Sequence, residues 1–164
     1  MSKIDNTPIY ITEEGKNEKL ARLEFLRIVE RPKIIEDIKI ARGFGDLSEN
    51  AEYDDARDRQ LKCELEISKL ESEIKRLVVV EVTDDDLVQM GKTITVKNKQ
   101  TGDNFTFRLV STDEANVDLG KISTQSPLGA AILGKREGKS VPVKATTGAS
   151  WIYKIIEVKL KNPA

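Results

Sequence analysis

The sequence contains no histidine, one cysteine and only 5% aromatic residues. Each shortage removes a class of chemistry. Without an imidazole, proton transfer near neutral pH would need a shifted carboxylate, a shifted lysine or a group supplied by a partner. The single thiol, Cys63, cannot close an internal disulfide, and the lack of any Cys or His cluster argues against zinc. No apolar run approaches the roughly 18 residues that a spanning helix needs. The polar start MSKIDNTPIY also lacks the apolar segment of a secretory signal, so a cytoplasmic protein without a membrane role is expected. Neither sign of charge is in excess: 27 Lys plus Arg stand against 28 Asp plus Glu. A net charge of −1 gives no general pull toward nucleic acid, and any such contact would rest on a local basic patch.

Proline and glycine are also scarce over a long stretch. Between Glu13 and Leu77 the only proline is Pro32, and the only glycines after Lys16 are Gly43 and Gly45. That composition, rich in Glu, Lys, Arg, Leu and Ile, reads as helix, with a turn at ARGFGDLSEN. Two arms are expected, Glu13 to Arg42 and Asn50 to Leu77, each about 45 Å long at 1.5 Å per residue. In the second arm Tyr53, Ala56, Gln60, Cys63, Ile67, Leu70, Ile74 and Leu77 recur at alternating steps of three and four, the spacing of a coiled-coil seam. The first arm is less regular. Leu20, Leu23, Ile34, Ile38 and Ala41 share a face, Arg27, Glu30 and Arg31 interrupt it, and Pro32 is expected to bend the helix.

After Leu77 the pattern becomes that of strands: Val78 to Val82, Lys92 to Asn98, Asn104 to Val110, Val141 to Ala145 and Trp151 to Val158. KQTGD and TTGA have the composition of hairpin connections. SPLGAAILG, Ser126 to Gly134, reads as one short helix, and the acidic Thr83 to Asp86 as a loop. The expected fold class is α+β: a segment 1–12, a long antiparallel helical hairpin over 13–77, and a globular domain over 78–164.

The hairpin tip is chemically unusual. From Asp46 to Asp58 there are six carboxylates, Asp46, Glu49, Glu52, Asp54, Asp55 and Asp58, and one cation, Arg57. Like charges at this density cost stability unless a cation visits them, which makes the tip a candidate metal site. Ser48 or Asp46 could equally cap the second helix, whose first turn favours acidic residues. Arg42, Arg57 and Arg59 flank the tip and could grip nucleic-acid phosphate, or pair with neighbouring carboxylates. Tyr53 could stack on a base or pack in the seam.

The run Ala41 to Gln60, ARGFGDLSENAEYDDARDRQ, closely resembles the tip of the GreA-type bacterial transcript cleavage factors, with its A-R-x-x-G-D-L-x-E-N-A-E-Y-x-x-A-R core. The likeness extends through ITEEGKNEKLARLEFL and RPKIIEDI, and through SPLGAAILGKREGKSVPVK and WIYKIIEV, over nearly the whole chain. It implies an amino-terminal antiparallel coiled coil and a carboxy-terminal domain similar to the FKBP fold, in an accessory factor that is not itself an enzyme. The implied partner is RNA polymerase, entered through its secondary channel and docked at the rim of its largest subunit. The implied activity is stimulation of the polymerase's own cleavage of the 3' end of backtracked nascent RNA, with DNA as a second nucleic acid of the complex. Under the resemblance Asp46 and Glu49 are the acidic pair, sharing Mg2+ with the polymerase site without binding it tightly in the free protein. Arg42 and Arg57 are the tip arginines, and Ser126, Pro127 and Leu128 lie near the rim contact. Asp54 and Asp55 depart from the pattern and make this tip more acidic. A channel-binding inhibitor of the same build is a second reading. A prolyl isomerase is a third, although strand alternation would consume Phe105, Phe107, Trp151 and Tyr153 as core.

Overall fold

A computed structural model describes residues 5–45 and 50–160. The chain divides into two compact units, Met1–Ile9 with Glu14–Leu77 and Tyr10–Glu13 with Val78–Ala164. Strands β1 (Ile9–Ile11) and β2 (Leu77–Val79) form a two-stranded sheet through which the chain passes from one unit to the other. Neither the strand at Ile9–Ile11 nor the early end of β2, three residues short of Val82, is anticipated by the sequence pattern.

The first unit is built on helices α1 (Glu13–Phe25), α2 (Arg31–Arg42) and α3 (Ala51–Ile74). Between α1 and α2 the helical path widens into a π-turn over Leu26–Glu30, closed by the Arg31 N–H donating to the Leu26 carbonyl five residues back. The expected disturbance at Pro32 therefore takes the form of a wider turn just ahead of it. Proline has no N–H and its ring crowds the carbonyl four residues earlier, that of Ile28; an extra residue in the turn relieves the crowding.

That extra residue also resets the phase of the apolar stripe. Steps of three and four from Leu23 and Leu26 would bring positions 30, 33, 37 and 40 to the seam, the last three being those next to the residues observed. Instead Ile34, Ile38 and Ala41 are buried, one position later, while Lys33 is exposed. Leu20 does not join them: it is 40% exposed, and fully buried Leu26 belongs to the seam in its stead. Each step of three residues falls 60° short of a helical turn, so Leu20 lies about 120° around the helix from Leu26. Lys19 occupies the nearer position, with its Nζ 3.0 Å from Glu73 Oε2.

On α3 the expected stripe holds: Ala56, Cys63, Ile67 and Leu70 are buried, with Tyr53 and Ile74 packed against the same cluster. Around it run cross-arm ion pairs, Arg22 with Glu66 (2.9 Å), Arg31 with Glu64 (2.7 Å), Arg59 with Asp37 (2.9 Å), and Arg27 with Glu71. These are exposed or partly so and worth at most about 1 kcal/mol each, so they set register while the apolar seam supplies stability.

The second unit contains a mixed five-stranded sheet in the order β5-β4-β3-β7-β6, with β3 at Thr93–Asn98, β4 at Asn104–Val110, β5 at Lys121–Ser123, β6 at Ser140–Lys144 and β7 at Ser150–Lys159. Strand β5 is parallel to β4, and the other pairings are antiparallel. The two expected hairpin connections are present, with Gly102 (φ 79°) between β3 and β4 and Gly148 (φ 91°) between β6 and β7. Residues alternating on one face, Ile94, Val96, Phe107, Leu109, Val141, Val143 and Ile155, form the core with Val88 and Ile132. Ile132 comes from the short helix α4 (Pro127–Ile132). A Cβ on Gly129 would stand 2.1 Å from the Ser123 carbonyl oxygen, so only glycine allows α4 this close to the end of β5.

The acidic loop at Thr83 to Asp86 has a structural task. Lys92 is fully buried, and its ammonium donates to the Asp85 carbonyl (3.1 Å), Asp85 Oδ1 (3.0 Å) and the Leu87 carbonyl (2.8 Å). All three of its donors are used, which is what makes a buried ammonium tolerable. The Lys92 ammonium, followed by the Thr83 hydroxyl, holds the Asp85 carboxyl down to about 2.

Two outcomes follow for stability. Leu26→Ala should cost about 2–5 kcal/mol of hairpin stability, whereas Leu20→Ala should stay within about 0.5 kcal/mol; denaturant unfolding followed by helical circular dichroism separates them. Because the Asp85 carboxyl is depressed from an ordinary 3.8, its contribution is fully present above that pH and is lost as pH falls toward about 2. Urea midpoints measured across that interval should fall less steeply for Asp85→Asn than for the unaltered chain.

Candidate functional site

Asp46 and Glu49, the acidic pair singled out at the tip, lie outside the described residues, as does Ser48. What the structure supplies is the ground on either side of them. Helix α2 ends at Arg42 with a sequence of tight turns, in which the Gly43, Phe44 and Gly45 N–H groups donate to the Ile40, Ala41 and Arg42 carbonyls at 3.0, 3.2 and 3.4 Å. Gly45, at φ 105°, takes a conformation that a side chain would strain.

The cap of α3 is Asn50. Its backbone is extended (φ −89°, ψ 97°) and its Oδ1 accepts the Tyr53 N–H at 3.0 Å. The capping role considered for Ser48 or Asp46 is thus filled by the residue immediately before the helix, because the capping oxygen must reach the N–H two or three residues ahead. Sequence reasoning passed over Asn50, although Asn just ahead of a helix-forming run is itself a cap signal.

The acidic surplus is smaller than the count over 46–58 suggests. Asp55 and Asp58 each meet a cation one helical turn later, Arg59 at 3.0 Å and Lys62 at 3.0 Å. Both partners fall just beyond or at the edge of the stretch considered, and the i,i+4 geometry brings them back. Glu52 and Asp54 lie in the first turn of α3, where the helix dipole favours them.

The three arginines differ in what already holds them. Arg59 is bound on two sides, by Asp37 from α2 (2.9 Å) and by Asp55 (3.0 Å); Asp37, then Asp55, raise its guanidinium above the ordinary value. Arg57 is exposed and donates to Gln60 Oε1 at 2.9 Å. The Arg42 guanidinium lies 5.9 Å from the Tyr53 ring centroid, while Tyr53 itself packs partly into the seam. Asp37, Ile40, Ala41, Ala51, Glu52, Asp55 and Arg59 line a shallow groove beside the tip.

In the second unit Ser126 caps α4. Its Oγ accepts the Gly129 N–H at 3.1 Å and donates to the Ser123 carbonyl at 2.7 Å. Pro127 opens the helix and is exposed, and Leu128 packs partly against the core. Phe107 is core and Tyr153 packs against it, whereas Phe105 remains 48% exposed with its ring 6.5 Å from that of Tyr153. The groove lined by Asp86, Glu137, Gly138, Lys154, Ile155 and Ile156 contains none of the aromatics that an isomerase pocket would need.

Among the described residues no group of three Cys, His, Asp or Glu side chains comes together as a metal cage, and no helix is long and apolar enough to cross a membrane.

Comparison with known proteins gives this geometry a family. Residues 9–79 match the family model described as transcription elongation factor, N-terminal, and residues 83–160 match transcription elongation factor, GreA/GreB, C-term. The chain is 42% identical over 151 residues to transcription elongation factor GreA of Geobacillus kaustophilus, covering 91% of this chain and 95% of that protein. It is likewise 42% identical over 153 residues to GreA of Pelobacter propionicus, covering 92% and 96%. Among solved structures it is similar to GreA factor homolog 1 (Gfh1) of Thermus thermophilus at 22% identity, covering 92% of this chain and 98% of that one with a TM-score of 0.42, a likeness too loose to add to the argument. The two family matches between them span both units, and with 42% identity maintained across 91% of its length, this chain belongs to the GreA/GreB family of transcription elongation factors.

Proposed function

We propose that this chain is a transcript cleavage factor. It binds RNA polymerase, inserts its hairpin through the secondary channel and stimulates the polymerase's own hydrolysis of backtracked RNA, which rescues arrested complexes. The observation that carries this reading is the occurrence of D-L-S-E-N in the sequence between two helices that pack on each other, in a chain 42% identical to GreA. Helix α3 alone has 24 residues, about 36 Å of reach. In this reading 13–77 is the inserting hairpin, 78–164 the docking domain, with an FKBP-like fold, and 1–12 an extension ahead of them.

Asp46 and Glu49 supply carboxylate oxygens to a site that the polymerase completes. Two carboxylates bind magnesium weakly by themselves, so the chain contributes to another protein's centre and is not an enzyme. Asp46 and Glu49 would hold magnesium together with the polymerase's own ligands, and the ion would supply the activation of water for attack on the phosphodiester. Arg42 and Arg57 approach RNA phosphate, and Arg59, tied to Asp37 and Asp55, would add to that contact only by leaving them. Ser126, Pro127 and Leu128 lie at the docking rim. Pro127 offers exposed surface there, while Ser126 and Leu128 also hold α4 in place. The D-L-x-E-N pattern, retained together with GreA-level identity, favours cleavage stimulation over channel inhibition.

Replacing both Asp46 and Glu49 with alanine should reduce RNA shortening in halted polymerase complexes to the rate seen without the factor, while competition against unaltered factor shows binding retained. Unchanged shortening with binding intact would refute the assignment. An inhibitor would instead slow nucleotide addition and release no short RNA.

A further inference from the structure

We propose that Asn50 is a positioning residue for the tip. Its side chain ties the last turn of α2 to the first turn of α3, and so fixes the two helix ends that flank Asp46 and Glu49 in the sequence. The consequence for cleavage rests on the function proposed above; the tie itself does not.

Asn50 makes two different hydrogen bonds. Its Oδ1 accepts the Tyr53 N–H at 3.0 Å, and its Nδ2 donates to the Ala41 carbonyl at 2.7 Å. The orientation of the amide is thereby determined, since an N–H can only donate and a carbonyl can only accept. Ala41 is 2% exposed and sits in the last turn of α2, where carbonyls have no partner within the helix. Its oxygen accepts the Phe44 N–H at 3.2 Å as well as the Asn50 amide, so both acceptor positions are used. One side chain therefore caps two helices, α3 at its start and α2 at its end.

Few residues can do this. Serine and aspartate cap helix starts as well as asparagine does, but aspartate has no donor, and serine has one short hydroxyl where asparagine holds its donor and acceptor on two separate atoms. Glutamine carries the amide one methylene further out. The Arg42 guanidinium over the Tyr53 ring, at 5.9 Å, joins the same two turns a second time. A tie between residues 41 and 50 lowers the entropic cost of ordering whatever chain joins them on the polymerase.

The full-length variant Asn50→Asp keeps the helix cap and removes the donor, and Asn50→Ser keeps the cap on a shorter side chain whose one hydroxyl replaces the separate amide nitrogen and oxygen. Amide hydrogen exchange in the free protein should rise roughly five- to tenfold at Phe44 and Gly45, the factor that one hydrogen bond is worth, while the Tyr53 amide stays protected. In halted polymerase complexes the maximal cleavage rate should fall by a similar factor while the half-saturating factor concentration stays put, a split that general loss of fold would not give. Wild-type exchange in both variants would show that there is no tie. Faster exchange with an undiminished maximal rate would show a tie that does not position the pair. If the unaltered chain stimulates no cleavage, the functional reading falls together with the positioning role, and exchange alone still decides whether Asn50 joins the helices. Asn50→Asp decides the matter where Asn50→Ser loses helix, because a carboxylate at that position suits the helix dipole.

Discussion

The hairpin depends on keeping one apolar stripe in register along two long helices, and a single proline works against it. Any helix that accommodates Pro32 must relieve the crowded carbonyl of Ile28, and the relief chosen here adds one residue to the turn at Leu26–Glu30. Without that residue the first arm would present Lys33, Asp37 and Ile40 to α3. With it, Ile34 and Ile38 join Ala56, Cys63 and Ile67 in one buried cluster, and Ala41 is buried as well. The cross-arm ion pairs follow from the same phase, since Arg31 can reach Glu64 and Asp37 can reach Arg59 only when the apolar residues between them face inward. The facing ends of α2 and α3 inherit their geometry from this seam.

At that end the chain economises on charge. Six carboxylates over 46–58 would repel one another, yet Asp55 and Asp58 are answered by Arg59 and Lys62, and the first-turn acids are favoured by the dipole of α3. Asp46 and Glu49 stand apart because they precede the helix and its cap. Two carboxylates are a poor metal site by themselves and a useful contribution to a site in another molecule, which fits a protein whose chemistry is completed by its partner. The second unit handles charge in the opposite manner, burying Lys92 and surrounding its ammonium with three acceptors so that the acidic loop becomes part of the fold.

Much of this was legible in the amino-acid order. The seam of α3, the turn at Gly43 to Gly45, three of the four longer strands to within a residue and the fourth shifted by one, and the short helix after Ser126 all have local causes in apolar spacing, turn glycines and capping residues. What escaped the sequence pattern has non-local causes. Leu20 resembles Leu26 in type and spacing, and only the phase imposed by α3 distinguishes them. Strand β5 has three residues and owes its existence to pairing with β4, as β1 does to β2. Asn50 was visible as a residue but not as a tie, because its second partner, Ala41, lies nine positions back and across the hairpin. The task of Asp85 likewise needed Lys92 to be seen buried beside it.

The central claim is that this chain completes a partner's active site and has none of its own. The most direct measurement is the length of labelled RNA after the chain is added either to a polymerase complex with a displaced 3' end or to the same RNA free in solution. The account predicts short 3'-terminal fragments from the polymerase complex and intact RNA in its absence. Shortening of free RNA, or a polymerase complex that is bound but yields no fragments, would contradict it.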